Sequence, residues 1–363
     1  MMQTKFERLI GLDLLRCILM LIGPMYHIAH LFHENNKIIP IQNNTIYDAL
    51  SLTHPFRMEM FFILSGFFSS FLYEKKGYQY FKRSRIEKIL IPLFFSLIII
   101  WPLTQYIEYS ITSIFKYSLN HIWFLLTLGI ISIIYYTKYD LLKTIILYIN
   151  RRNLYQIIII VSILGIVSIF LNFIIESFLN KFDSKFLIFI YKNLIIYPLI
   201  YIVPTILGSC LYYKDYNINK KYYPIITVGF IIFHSIFISN YYNELNSIIK
   251  LILRSGYIIN TSLLILMIFN IFRNLSLNNN GLIKFFVNSS FTIYLIHPPI
   301  LYLNAILVNN YIENTFSQFI IINLLTYSQS IIFFIIISNL KIGRILFAIK
   351  KSELNVFKKF LIH

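Results

Sequence analysis

The chain has little charge, little cysteine and little glycine. Charged residues make up 13% of its 363 residues, and the sequence contains two cysteines and 11 glycines. Cys17 and Cys210 both lie in apolar segments, which excludes a disulfide framework. The sequence has no C-x-x-C pair and no glycine-rich phosphate loop, so we expect neither a bound metal nor a nucleotide site of the soluble kind.

Apolar residues dominate instead, at 58% of the chain, with aromatic residues at 18%. Ten low-charge segments are long enough to cross the ~30 Å hydrocarbon core of a bilayer. They lie near 9–33, 48–73, 89–112, 119–136, 154–178, 186–213, 222–241, 248–272, 283–308 and 315–340. The sequence therefore predicts an all-α, polytopic membrane protein with about ten transmembrane helices. One transmembrane domain is expected at 1–345, followed by a short basic tail at 346–363.

The basic residues are distributed unequally between the two sides of this predicted topology, with 23 on one side and four on the other. The larger set is Lys5, Arg8, Lys75, Lys76, Lys82, Arg83, Arg85, Lys88, Lys138, Lys143, Arg151, Arg152, Lys214, Lys220, Lys221, Arg273, Lys284, Lys341, Arg344, Lys350, Lys351, Lys358 and Lys359. The smaller set is Lys37, Lys116, Lys181 and Lys185. The positive-inside rule therefore predicts that both termini are cytoplasmic. Basic inner loops beside anionic lipids explain most of the net charge of +17, which calls for no nucleic-acid partner.

Two polar residues interrupt the first apolar segment. Arg16 and His27 are eleven positions apart, so on a helix they share one face and lie ~16 Å apart along its axis. Asp13 lies one turn before Arg16 on the same face. A charged side chain at this depth costs ~3 kcal/mol unless it faces protein or a wet cavity. Two explanations stay open: functional sites at Arg16 and His27, or an Asp13–Arg16 ion pair that only joins helices.

The second apolar segment begins with His54, Arg57 and Glu59. On a regular helix Arg57 and Glu59 project to nearly opposite sides, so both face one cavity only if the first turn is irregular. His54 and Arg57 either line an outward-facing pocket or extend to the membrane interface. We expect Glu59, which lies deeper, to be buried against a partner. Gly66 should allow a neighbouring helix to approach closely.

The ninth segment carries Tyr294 and His297 on one helix face, directly before Pro298 and Pro299. The prolines remove two backbone donors, so we expect the helix to kink or break there. Such a feature either lines a cavity or is plain architecture.

Two further pocket candidates lie at predicted outer ends of helices. Trp123 is either an interfacial aromatic residue or a pocket residue. Arg254 either adds positive charge to the same pocket or extends to the interface.

Two classes of function fit a bundle with an outward pocket near His27 and a cation at Arg16. A secondary transporter or exporter uses buried charges to bind and release a small solute or a glycan precursor. A membrane transferase uses a histidine to deprotonate an acceptor hydroxyl, while a cation holds the phosphates of its donor. These residues alone favour neither class.

Several motifs resemble those of the acyltransferase-3 family of integral-membrane acyltransferases. Arg16 and His27 match its Arg/Lys-x10-His motif. The segment Met-Glu-Met-Phe-Phe-Ile-Leu-Ser-Gly-Phe-Phe, from Met58, resembles the family's Asp-Leu-Phe-Phe-Val-Leu-Ser-Gly-Phe, with Glu59 where an Asp is usual. His121-Ile-Trp-Phe-Leu and Tyr294-Leu-Ile-His-Pro resemble its later signatures. The His54-Pro-Phe-Arg-Met stretch is most similar to the glucan-biosynthesis protein C subgroup, implicated in succinylating periplasmic glucans.

The resemblance implies transfer of an acetyl or succinyl group from cytoplasmic acyl-CoA to a hydroxyl of a periplasmic or cell-surface glycan, in the bacterial inner membrane. His27 would be the catalytic base, and Arg16, with Asp13 beside it, would contact the donor. We add that Glu59 could orient His27 or stabilise its protonated form, and that Arg57 or Arg254 could pair with a succinyl carboxylate. We expect no fused second domain after Lys341, so either the acyl group passes directly to the acceptor or a separate periplasmic partner completes the transfer. A homo-oligomer is also compatible with the sequence.

Overall fold

The computed structural model describes residues 10–33, 39, 43–112, 118–153, 185–241, 247–277 and 281–349, with isolated residues between 156 and 167. Every regular element in these ranges is helical. The helices are α1 (Ile10–Ala29), α2 (Asn44–Ser51), α3 (His54–Arg85), α4 (Ile91–Phe95), α5 (Trp101–Thr112), α6 (Trp123–Thr137), α7 (Tyr139–Asn150), α8 (Lys185–Tyr191), α9 (Tyr197–Tyr213), α10 (Tyr223–Tyr241), α11 (Ser247–Arg273), α12 (Gly281–Asn309), α13 (Thr315–Asn339) and α14 (Lys341–Leu346).

Seven stretches of the described residues are long and apolar enough to cross a membrane. They are Ile10–Phe32, Asn44–Ser110, Asn120–Thr137, Lys185–Tyr213, Gly256–Arg273, Gly281–Asn309 and Thr315–Asn339. The all-α, multi-pass prediction is confirmed. The segment predicted at 154–178 lies largely outside the described residues.

The longest of these stretches, Asn44–Ser110, reverses direction at Gly77. This glycine has φ 78° and ψ 169°, a conformation that residues with a Cβ rarely adopt. Ser69 and Arg85 each lie eight positions from Gly77, and Arg85 Nη2 donates to Ser69 Oγ at 2.6 Å. The rings of Tyr73 and Phe81, four positions on either side, are 5.9 Å apart. The stretch therefore forms an antiparallel helical hairpin that contains the predicted crossing 48–73 and most of the predicted crossing 89–112.

Helices α3 and α9 cross at two glycines. A Cβ on Gly66 would lie 1.8 Å from the carbonyl oxygen of Thr205, and one on Gly208 would lie 1.9 Å from that of Ile63. Ser209 Oγ donates to the Gly66 carbonyl at 3.0 Å across the same crossing. The predicted close approach at Gly66 is confirmed, and it brings the backbones together as small residues do in membrane bundles.

We expect Gly66→Ala to destabilise the bundle by ~1–3 kcal/mol, because the added methyl group must displace the α9 backbone. Gly129→Ala in α6 is the matched control, since its Cβ would lie 3.5 Å from the nearest atom, an ordinary contact. Thermal unfolding in detergent should give a lower Tm for Gly66→Ala and no loss for Gly129→Ala. Equal Tm values for the two variants would exclude a tight crossing.

Helix α1 lies at the centre of the site-bearing part of the bundle, against α3, α11, α12 and α13. The first residues of the predicted tail pack against the bundle as well. Phe347 is 1% exposed, and its ring lies 5.2 Å from Phe95 and 5.6 Å from Phe333. Residues 350–363 lie outside the described residues.

Candidate active site

Three histidines from different parts of the chain converge at one end of α1, here called the His27 end. The ring of His297 lies 5.3 Å from that of His27 and 5.2 Å from that of His121. His297 and His121 are buried, whereas His27 is half-buried. The sequence predicts His27 and His297 as site residues. At the start of α6 it predicts Trp123 rather than His121, which lies two positions away. In the described part of the chain, these histidines form no cluster that could hold a metal ion.

The two prolines of α12 do not break the helix, which continues from Gly281 to Asn309. Of the kink or break expected there, the break is therefore excluded. In an α-helix, Pro298 and Pro299 leave the carbonyls of Tyr294 and Leu295 without their usual donors. Each of these carbonyls instead accepts a hydrogen bond from a histidine ring. His297 Nδ1 lies 2.6 Å from the oxygen of Tyr294, and His121 Nε2 lies 3.0 Å from that of Leu295. The histidines thus replace the hydrogen bonds that the prolines remove.

These two contacts assign the tautomers of the neutral rings. A carbonyl oxygen only accepts, so His297 carries its proton on Nδ1 and His121 carries its proton on Nε2. The remaining nitrogens, His297 Nε2 and His121 Nδ1, are buried and have no hydrogen-bond partner among the described residues. Both are therefore free acceptors beside His27.

Arg57 lies beneath this cluster. It is 3% exposed, so the alternative in which it extends to the interface is excluded. Its Cζ is 5.0 Å from the centre of the Tyr26 ring, and exposed His54 stacks on that ring at 4.7 Å. Buried Arg57 Nε and Nη1 have no hydrogen-bond partner within the described residues. An unpaired buried guanidinium is costly, which makes Arg57 a candidate for binding an anion.

No hydrogen bond or ring contact places Glu59 beside His27 within the described residues. The titratable neighbours of His27 are His297, Arg57, His121 and His54. Glu59 lies within electrostatic range of Tyr201 and Tyr257, and Arg57 is also within range of Tyr201.

Trp123 belongs to the same aromatic side of the bundle as Glu59. Its ring lies 4.6 Å from Tyr197 and 5.4 Å from Tyr201. The side chain of Arg254 lies outside the described residues.

The opposite end of α1, here called the Arg16 end, carries a cationic cavity. Arg16 lies 3.6 Å from Asp13, so the predicted ion pair is present. Arg16 also lines a cavity of about 180 Å³ together with Arg85 and Lys88. The loop-charge count included Arg85 and Lys88 but did not identify them as site residues, because only the Gly77 hairpin brings them to Arg16.

Adjacent cavities with shared lining residues extend from the Arg16 end toward the His27 end. A groove of about 1060 Å³ lies beside the cationic cavity and shares Lys88, Ala348 and Ile349 with it. Further basic side chains on this groove are Arg83, Lys341 and Arg344. On its other side, the cationic cavity shares Met20, Phe61 and Phe124 with a small cavity of about 10 Å³, which reaches Arg57 and Tyr294. The walls therefore form a continuous series from the basic groove to the residues beneath His27.

Comparison with known proteins identifies the family of the chain. The family model described as an acyltransferase domain, of the acyltransferase-3 type, matches residues 9–339. The glucans biosynthesis protein C of Salmonella typhi is 29% identical over 142 residues, which cover 33% of this chain and 36% of that protein. The protein of the same name from Salmonella typhimurium gives the same values. These matches span about a third of the length of the curated relatives. No solved structure matches the chain.

The matched region contains both ends of the site, from Arg16 and His27 in α1 to His297 in α12. It covers most of the chain, which favours the transferase alternative over the transporter. The chain belongs to the acyltransferase-3 family and is a multi-pass membrane protein.

Proposed function

We propose that the protein moves an acetyl or succinyl group from cytoplasmic acyl-CoA to a hydroxyl of a periplasmic or cell-surface glycan. The observation that carries this proposal is the series of cavities from the basic groove, past Arg16, to Arg57 and Tyr294. Such a series suits a long donor whose phosphates stay at one end while its acyl group reaches the other. A glucan is the acceptor class that the names of the relatives suggest.

The Arg16 end suits the nucleotide part of the donor. Arg16, Arg85 and Lys88 surround one cavity, and Arg83, Lys341 and Arg344 line the adjoining groove. Guanidinium and ammonium groups bind phosphate oxygens through charge-assisted hydrogen bonds. The groove is large enough for a nucleotide, and the narrower cavity suits a slender linker.

The His27 end suits the acyl transfer itself. The acceptor hydroxyl gives its proton to His27 as its oxygen bonds to the thioester carbon. The carbon–sulfur bond then breaks, and the leaving thiolate takes that proton from His27. Arg57 supplies positive charge for the developing oxyanion or for the carboxylate of a succinyl group.

The proposed orientation places the Arg16 end in the cytoplasm, both termini on that side, and the chain in the bacterial inner membrane with about ten crossings. The 23-to-four distribution of basic residues supports it. Reporter fusions after Lys76 and after Arg152 should therefore behave as cytoplasmic, and a fusion near Asn43 as external. The reverse pattern would place His27 on the cytoplasmic side and contradict the separate donor and acceptor entrances.

The function is tested in two steps. Mass spectrometry of surface and periplasmic glycans, from cells with and without the protein, should reveal an acyl group that depends on it. Purified protein in proteoliposomes should then transfer that group from its acyl-CoA to the same glycan, or show that a separate periplasmic partner is required. Solute uptake without acyl-CoA binding or turnover would favour the transporter alternative.

A further inference from the structure

We propose that His297 is a positioning residue for His27, and that Pro298 holds it in the tautomer this role requires. The inference rests on the proposed function, because it assigns His27 the proton of the acceptor hydroxyl. When His27 accepts that proton, one of its two N–H groups needs a hydrogen-bond acceptor. His297 Nε2 is a buried acceptor without a partner among the described residues, on a ring 5.3 Å from that of His27.

The role depends on which nitrogen of His297 carries its proton. With the proton on Nδ1, the ring donates to the Tyr294 carbonyl at 2.6 Å and leaves Nε2 free to accept. With the proton on Nε2, that nitrogen could no longer accept from His27. Pro298 favours the first tautomer because it has no N–H of its own to offer the Tyr294 carbonyl. A proline inside this helix thus selects a tautomer of the neutral His297 ring.

His121 supports the same arrangement from a second element. Its Nε2–H donates to the Leu295 carbonyl at 3.0 Å, the carbonyl that Pro299 leaves free. This fixes its ring 5.2 Å from His297. The titratable side chains around His297 are His27, Arg57, His121 and Tyr294. None of these four side chains is a carboxylate. The neutral imidazole of His297 therefore orients His27, a role that a carboxylate has in many catalytic triads.

Two substitutions of His297 separate the roles of its nitrogens. His297→Asn keeps an amide donor near Nδ1 but has no group at Nε2, whereas His297→Gln places its amide near Nε2, where its oxygen can accept. We expect His297→Asn to lower kcat by ~10²-fold with little change in KM for acyl-CoA. His297→Gln should recover much of that loss. Equal kcat for His297→Asn and wild type, or equal loss in both variants, would overturn the proposal.

Pro298→Ala distinguishes positioning from a structural role. The alanine restores an N–H that competes for the Tyr294 carbonyl and improves helix propensity. We therefore expect an unchanged or higher Tm together with a lower kcat. Pro204→Ala, at another proline inside a helix, is the matched control and should leave kcat unchanged. A kcat for Pro298→Ala that equals or exceeds that of wild type would overturn the proposal.

Nitrogen NMR of histidine-labelled full-length protein identifies the tautomer of His297 independently of any activity measurement. The His297 signal, assigned by its loss in His297→Gln, should show a proton on Nδ1 in wild type. A proton on Nε2 would overturn the inference even if acyl transfer is observed. Conversely, an Nδ1 proton in a protein that transfers no acyl group would contradict the proposed function and leave the tautomer assignment standing.

Discussion

Replacing His27 with alanine should abolish acyl transfer and leave the bundle folded. Removal of a general base costs ~10²–10⁴-fold in rate, and the second histidine cannot replace it, because His297 is fully buried and bonded to its own helix. Alanine is also easier to insert into a bilayer than histidine. The measurement is acyl transfer in proteoliposomes, alongside membrane abundance and Tm.

The donor end provides an internal check on this result. Arg16 lies ~16 Å from His27 along α1, so His27→Ala should bind acyl-CoA as wild type does. His30→Ala, one turn further at an exposed position, is the matched control and should retain activity. Wild-type turnover by the His27→Ala protein would exclude His27 as the base.

Features that depend on one helix were predictable from the sequence. The apolar segments indicated an all-α membrane bundle because crossing a bilayer sets a minimum length. The spacing of Arg16 and His27 placed them on one face of α1 because helical periodicity is fixed. The close approach at Gly66 followed from the absence of a side chain there. Each of these arguments needs only local geometry.

Features that depend on a second helix were not predictable in this way. The break expected after His297 does not occur, because His297 itself and His121, from a distant part of the sequence, bond to the freed carbonyls. Arg85 and Lys88 appeared as ordinary loop charges, since the count of basic residues does not show where the Gly77 hairpin folds. The signal that could have identified His121 was its position beside Trp123 in a motif that resembles the family's.

For Arg57 and Glu59, one feature depends on a single helix and another depends on how two helices pack. Helical periodicity predicts that the two residues diverge unless the first turn is irregular, and α3 is helical from His54. Arg57 packs on Tyr26 near the His27 end, and Glu59 lies within electrostatic range of Tyr201 and Tyr257. Which of the two accompanies His27 depended on the packing of α3 against α1. The orienting role suggested for Glu59 stays a prediction, and the contacts support Arg57 as the residue near the reacting atoms.

The second large effect is expected at Arg16. Arg16→Gln should weaken acyl-CoA binding about 10- to 100-fold, because a charge-assisted contact contributes ~1.5–3 kcal/mol and each 1.4 kcal/mol is a factor of ten. Arg16→Lys should retain part of the affinity, since a point charge still attracts phosphate. Lys75→Gln removes an exposed cation that lines neither cavity, and it should bind as wild type does.

The ion pair with Asp13, at 3.6 Å, offers the competing explanation, and a double variant separates the two. If Arg16 only neutralises Asp13, then Arg16→Gln removes the positive charge beside that carboxylate, and adding Asp13→Asn should restore both stability and donor binding. If Arg16 contacts the donor, the double variant should regain Tm but still bind acyl-CoA weakly. The cavity that Arg16 shares with Arg85 and Lys88 favours the second result, because phosphate needs the cation whether or not Asp13 is charged. Isothermal titration with acyl-CoA and thermal unfolding of the single and double variants decide between them, and full recovery of binding in the double variant would exclude Arg16 from the donor site.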